Sequence, residues 1–372
     1  METENKTKRL LSIDALRGFD MLFIMGFSTL VALIAIAISG NPDCWLARQM
    51  GHVGWHGLAH HDTIFPLFLF VSGMTFPFSF ANQVENGRSK KQILLRTIKR
   101  GLILVALGLV YSGLFDLHLA HLRFPSVLAR IGLGWMGAAL IFQFVPNWKA
   151  RAGIGAFILI GYWLLLALCP APDAPAGTDP FSYEGNLVGY IDRIIMPNHL
   201  YEGKFFDPEG ILSTFPAIVT AMLGMFTGEF IKESKVSPGR KTLYMFIAAA
   251  ALLVVGLVWS KFFPINKKLW TSTFVLVVGA YSVAMYALFY WLIDVKGWKG
   301  WTPFFKVIGM NSITVYLAMR IIDFGKISNF FFGGLAGLFP EPWSKMISTA
   351  AFTFIVWLFL LFLYKKKVFL KV

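Results

Sequence analysis

Apolar residues in this chain fall into long blocks separated by short polar and basic stretches. A membrane-spanning helix needs about 20 mostly apolar residues. Ten runs approach that length, at roughly 16–39, 61–83, 100–117, 127–145, 152–170, 211–231, 242–260, 271–293, 303–322 and 346–364. The third, fourth and ninth carry charges or many small residues and are the weakest of the set. Lipid offers no partner to backbone N–H and C=O groups, so helices, which satisfy their own, are the form such runs take. The pattern predicts an all-α, polytopic integral membrane protein with about ten transmembrane helices. No repeat or low-complexity tract divides it, and "PAPDAPAGTDP" is too short to link two domains. One membrane domain over residues 1–372 is therefore expected.

The connections alternate in charge. One set reads "METENKTKR", "ENGRSKKQILLRTIKR", "PNWKAR", "IKESKVSPGRK", "DVKGWKG" and "YKKKVFLKV". The alternate set is poorer in Lys and Arg, although it includes the longest loop. Short basic loops stay in the cytoplasm, which places both termini there. The loops at about 40–60, 171–210, 261–270 and 323–345 then lie outside, together with "HLAHLRFPS". The basic N-terminus is not followed by a small-residue cleavage site, so the first run reads as a retained helix.

Composition sharpens this picture. Among 372 residues, 56% are hydrophobic and only 15% charged, where a soluble protein would carry about a quarter. The net charge of +14 suggests nucleic acid at first sight, but the cations sit in clusters between apolar runs and form no continuous face. The expected partner is the lipid bilayer. Cys44 and Cys169 lack metal-type spacing, and both map to the outer side, where an oxidising compartment permits a disulfide.

Chemistry concentrates in "HVGWHGLAHHDTIFP", residues 52–66, which holds four of the seven histidines, His52, His56, His60 and His61, followed by Asp62. If the segment is helical, His52, His56 and His60 share a face. Three readings stand side by side: a wet interfacial cluster without a role, a zinc site with Asp62, or a general base with a carboxylate fixing its tautomer. No recognised zinc motif such as H-E-x-x-H supports the second. Further outer residues are Asp192, Arg193, His199, Asp207 and Glu209, and Asn266, Lys267, Lys268 and Trp270. Together they offer the carboxylates and aromatics that a sugar site uses. Charges also fall within spans: Asp14, Arg17 and Asp20 in the first, Arg130 in "SVLARIGLGW", with Asn311 and Ser312 in the ninth. Such groups are costly in lipid and face a partner or a cavity. A structural pair such as Asp14 with Arg17 and a hydrated passage both account for them.

Several of these stretches form a series: "SIDALRGFDM", "GHVGWHGLAHHDTIFPLFLFVSGM", "RFPSVLARIG", "GYIDRIIMPNHLY", "FDPEGIL", "FPINKKLW" and "VKGWKGWTPFFKVIGMNSITVY". Their order and identity resemble the heparan-α-glucosaminide N-acetyltransferase family, over nearly the whole chain from about Arg9. The resemblance implies transfer of an acetyl group from cytosolic acetyl-CoA to the amine of a glucosamine-type sugar across the membrane. The family's active-site histidine precedes a Trp and an "FP" pair, which matches His52, with Trp55 and Phe65-Pro66 after it. His56 falls where the lysosomal relative has an amide residue. The resemblance also implies a homodimer, in a bacterial setting in the inner (plasma) membrane.

The expectations are then specific. His52 and Asp62 are the catalytic candidates. Asp207, Glu209, Asn266 and Trp270 are candidates for the acceptor sugar. Arg17, Arg100, Arg130, Lys306 and Asn311 are candidates for acetyl-CoA, an Arg suiting bidentate phosphate contacts. No metal is expected. The competing class is a membrane sugar transporter, its inward charges lining a substrate path and without acyl-transfer activity.

Overall fold

The computed structural model describes residues 10–203 and 205–370. The basic N-terminal segment through Arg9, and the last two residues of the basic C-terminus, lie outside the described residues. Every regular element among the described residues is helical.

Eight helices are long and apolar enough to cross a membrane: α1 (Leu11–Ser39), α2 (His60–Glu85), α4 (Val127–Phe144), α5 (Trp148–Leu168), α7 (Thr214–Glu233), α8 (Pro238–Trp259), α9 (Ser272–Val295) and α13 (Trp343–Lys365). The remaining main helices are α3 (Lys90–Tyr111), α6 (Leu187–Ile195), α10 (Thr302–Gly309), α11 (Ser312–Ile321) and α12 (Phe324–Gly337). The expected count of about ten is not reached by these criteria. The third run is the continuous helix α3, whose first half, "KKQILLRTIKR", is too basic to be an ordinary span. The ninth run is broken: α10 and α11 meet at 65°, and counting them as one span gives nine.

The chain divides into two compact units. The first takes in the described residues up to Ala47, with Val236–Phe246 and everything from Ala284 onward. Here α1 packs on α10 with backbones almost touching: a Cβ on Gly18 would lie 1.8 Å from the Phe305 carbonyl oxygen. Without a hydrophobic drive between helices in lipid, such close approach is what holds them. Partway along, α1 widens into a π-type turn, Phe23–Phe27, with Gly26 at φ 109°. Thr353 of α13 donates its hydroxyl to the Met25 carbonyl there, at 3.0 Å.

The second unit comprises Arg48–Lys235 with Ile247–Val283. Its centre is α7, which packs against α2, α4 and α5. Gly73 of α2 and Gly224 and Gly228 of α7 permit this contact. Added Cβ atoms would lie 2.1, 2.0 and 2.2 Å from the carbonyl oxygens of Ala221, Phe70 and Met74. Between α3 and α4 the Gln143 amide donates to the Thr97 hydroxyl at 3.0 Å. All the polar loops that gather around the histidines belong to this unit.

Candidate active site

The site is built on the entry to α2. Residues 51–59 are irregular, so His52, His56 and His60 do not share a helix face; each finds its own partner. His52 Nδ1 lies 2.7 Å from Asp62 Oδ1. Asp62 sits in a short 3-10 turn, His60–Thr63, that leads into α2. Its other oxygen accepts the backbone N–H groups of Ala59, at 3.2 Å, and Val53, at 3.3 Å. The carboxylate thus pins both ends of the histidine loop.

A carboxylate can only accept, so His52 directs an Nδ1–H at Asp62, and in the neutral ring the lone pair lies on Nε2. The side chain of Asp62 is 3% exposed and that of His52 is 57% exposed. The pair is therefore anchored at the acid and open at the imidazole.

The loop before α9 closes over this pair. Tyr162 of α5 donates to the Leu269 carbonyl at 2.6 Å, and Ser272 donates to Leu159 O at 2.7 Å, tying the loop to α5. Lys267 projects from it, with Nζ 3.2 Å from Asp62 Oδ1 and 3.3 Å from His52 Nδ1. Asn266, fully buried, accepts Leu269 N–H at 2.9 Å and lies 3.4 Å from His56 Nδ1 through its amide nitrogen. Burial lowers the pKa of His56, against the opposing field of Asp179. His60 reaches the Tyr281 hydroxyl at 3.1 Å, and the His61 ring stands 4.6 Å from that of His52.

Aromatic side chains form the wall. Trp55 donates its indole N–H to Phe181 O at 2.9 Å and meets Tyr183 and Phe206 edge-on. Lys268 donates to Gly54 O and stands over the Trp55 ring. Trp270 is 1% exposed; it packs between Phe65 and Phe274, with its N–H on Thr220 at 3.2 Å.

Asp207 and Glu209 organise the long loop. Asp207 takes two hydrogen bonds from Arg123, at 2.8 and 2.5 Å, and the N–H groups of Tyr201 and Glu209, each at 2.9 Å. Arg123 also donates to Glu209, and its pKa is raised by these two carboxylates, which outweigh the cost of burial. Neighbouring Asp192 accepts Ile211 N–H at 3.0 Å. Burial nonetheless pushes its pKa up to about 6, aided by the nearby Asp207 charge.

The five residues expected to serve acetyl-CoA are divided between the units. Arg17, Lys306 and Asn311 lie in the first, and Arg100 and Arg130 in the second. Arg17 is half-buried on α1 and Lys306 half-buried on α10. Asn311 sits in the break between α10 and α11, 2% exposed, with its amide nitrogen lacking a hydrogen-bond partner. Arg100 stacks on Trp135 at 4.3 Å. Arg130 is 1% exposed, lies over Trp270 at 4.9 Å, and gives its Nη2 to Gly210 O and the Ser213 hydroxyl. Its side chain is thereby engaged with the long loop.

Sequence reasoning missed Arg123 and Tyr281, and did not rank Lys267. A signal for Arg123 and Lys267 existed, because both are cations in loops that the charge rule expects to be poor in them. Among the described residues no three His, Cys, Asp or Glu side chains converge to hold a metal ion, and neither Cys44 nor Cys169 is in a disulfide.

Taken together, this is a polytopic helical membrane protein with an exposed histidine held by a buried carboxylate under an aromatic wall. Comparison with known proteins narrows the class. The chain is 27% identical over 436 residues, 99% of its length, to heparan-alpha-glucosaminide N-acetyltransferase of Mus musculus. It is 27% identical over 432 residues, 98% of its length, to the Homo sapiens protein of the same name. These matches bear out the family-level resemblance. The chain spans 61% and 60% of the length of these two relatives. No protein-family model matches it.

Proposed function

We propose that this chain is a membrane acetyltransferase that moves an acetyl group from acetyl-CoA to the amine of a glucosamine-type sugar. The single observation that carries the proposal is the His52–Asp62 pair, 2.7 Å apart, in a chain similar end to end to proteins named for this transfer. Asp62 holds Nδ1–H, which in the neutral ring leaves Nε2 as the basic nitrogen of His52. Two routes balance. In direct transfer Nε2 removes a proton from the sugar ammonium or the attacking amine, the N–C bond forms, and the thioester C–S bond breaks with release of CoA thiol. In the two-step route Nε2 itself attacks the carbonyl and the C–S bond breaks to release CoA as thiolate; the neutral amine then attacks the acetyl-imidazole, the bond to Nε2 breaks, and the amine's proton returns to the imidazole or the thiolate. Both need the same tautomer and the same open edge.

The acceptor fits the surroundings of His52. Trp55 and Tyr183 offer apolar faces for a sugar ring, and Asn266, buried behind His56, serves this reading through its contact with that imidazole. Asp207 serves this reading indirectly, since Arg123 and two backbone N–H groups occupy its oxygens. Acetyl-CoA is a substrate carrying phosphates. Lys306 and Arg17, both in the first unit, are the cations suited to meet them there, and Asn311 of the same unit has a donor to spare. The proposed setting is an inner membrane, with both termini cytoplasmic and two copies associated.

The test separates this from the transporter reading. Purified protein mixed with acetyl-CoA and glucosamine is expected to release CoA thiol in step with N-acetylglucosamine. A preparation that binds or moves the sugar but frees no thiol is a transporter.

A further inference from the structure

The proposed chemistry leaves His56 unused, yet its surroundings fix which way its polarity runs. Asn266 stands behind it, fully buried. The Asn266 amide oxygen accepts Leu269 N–H at 2.9 Å, so the NH2 end of the amide is the one turned to His56 Nδ1, at 3.4 Å. A donor aimed at Nδ1 requires a lone pair there. A neutral imidazole with its lone pair on Nδ1 carries its hydrogen on Nε2. Burial lowers the pKa of His56, against the field of Asp179, which favours this neutral ring. The main chain holds the same arrangement, because Gly57 N–H donates to Ile265 O at 2.8 Å.

His52 and His56 therefore have opposite polarity. Neutral His52 gives Nδ1–H to Asp62 and keeps its lone pair on Nε2, whereas His56 accepts at Nδ1 and presents Nε2–H. His56 is exposed, unlike the asparagine that orients it. It stands beside the aromatic wall, its ring 6.0 Å from that of Trp55, with Tyr183 5.3 Å beyond. A pyranose lying against such a wall turns its C–H face to the rings and leaves its hydroxyl oxygens at the rim, where a few placed polar groups set specificity. A neutral N–H suits this acceptor, since it binds a hydroxyl oxygen without repelling the sugar's ammonium.

We propose that His56 is a specificity-determining residue of the acceptor site, its Nε2–H donating to the 3-, 4- or 6-hydroxyl of the glucosamine-type sugar beside Trp55. The choice of sugar rests on the acetyltransferase reading. The experiment uses the full chain purified in mild detergent, without acetyl-CoA, and reads binding by isothermal titration calorimetry. Glucosamine is compared with its 3-deoxy, 4-deoxy and 6-deoxy analogues on wild type and on His56→Phe, which keeps a ring and removes the donor.

Wild type is expected to bind one of the three analogues about tenfold more weakly than glucosamine, as one hydrogen bond warrants. In His56→Phe, glucosamine should weaken to the level of that analogue, and the analogue should lose nothing further. If His56→Phe binds too weakly to measure, His56→Gln decides, because its amide N–H reaches about where Nε2–H stood and should restore the preference. Three analogues that bind wild type as well as glucosamine does overturn the proposal. So do a preference that survives in His56→Phe, a His56→Gln variant that fails this rescue, and a wild type that binds no glucosamine. The two readings fail separately. A chain that frees no CoA thiol but shows the His56-dependent preference loses the transferase reading and keeps this one.

Discussion

His52 and Asp62 stand ten residues apart in sequence, and a known motif surrounds them, so this half of the site was legible. The rest of their environment was not. Lys267 and Tyr281 reach the histidines from more than 200 positions along the chain, and no local pattern announces such a meeting. The helical spacing of His52, His56 and His60 was a false lead, because Gly51, Gly54 and Gly57 and the pinned carboxylate keep the loop irregular. Gly57 has φ 115°, a conformation other residues rarely adopt. If His52 is the base or nucleophile, His52→Ala should cut the rate of CoA release by about a hundredfold or more. Size-exclusion behaviour should be unchanged, since the side chain is largely exposed. Activity within a few-fold of wild type would transfer the role to a neighbouring imidazole. Asp192 gives a second expectation, on stability. Its folded pKa of about 6 exceeds the ordinary value near 3.9, so the fold holds a proton that the unfolded chain has lost. That contribution is complete at acid pH and fades as pH rises through about 6, with a ceiling of about 3 kcal/mol. Asp192→Asn should flatten the pH dependence of thermal unfolding between about pH 4 and 7. An unchanged profile would mean that the carboxyl is already ionised across that range.

At the scale of elements, length and apolar content located eight spans well, because lipid imposes both. The exceptions each have a physical cause. α3 keeps its helix through a basic first half because Ser89 caps it and Gln92 returns the bond, forming a capping box. α12 lies in a stretch whose pattern predicts an outer loop, because 14 residues are too few to span; Asp323 caps it by accepting Lys326 N–H. The break after α10 was visible only as a run weakened by polar residues. Helix packing was less legible than helix position. Glycines are scattered through the spans, and their neighbours reveal which ones hold helices together. Gly224→Leu should prevent α7 from meeting α2, since even a Cβ would fall 2.0 Å from the Phe70 carbonyl. Such overpacking exceeds the usual cost of about 1–3 kcal/mol because backbone, not a mobile side chain, stands in the way. The expected outcome is loss of monodisperse protein after detergent extraction. Gly161→Leu on α5, which has nothing within 4 Å, is the control and should extract normally. Equal yields from the two variants would show that this contact is dispensable.

At the scale of the whole molecule, the alternation of basic and less basic connections is the only sidedness signal in the sequence. On that signal the histidine loop is expected at the outer face, while the proposed donor, acetyl-CoA, is too large and charged to cross lipid unaided. A chain that joins the two must carry polar groups within its apolar belt. In the first unit Asp20 is 3% exposed with one oxygen lacking a partner, and the Asn311 amide nitrogen is likewise unpartnered. In the second unit Nε and Nη1 of Arg130 are in the same state. Buried polar atoms of this kind are stable when water or a substrate satisfies them. The expectation is therefore a reaction with one substrate on each side. Sealed inside-out vesicles loaded with glucosamine should consume acetyl-CoA supplied outside, and right-side-out vesicles given the donor only outside should not. The difference should vanish on permeabilisation, when both substrates reach both faces. Equal rates in the two intact orientations would leave a one-sided enzyme, and the buried polar groups would then need a role in stability alone.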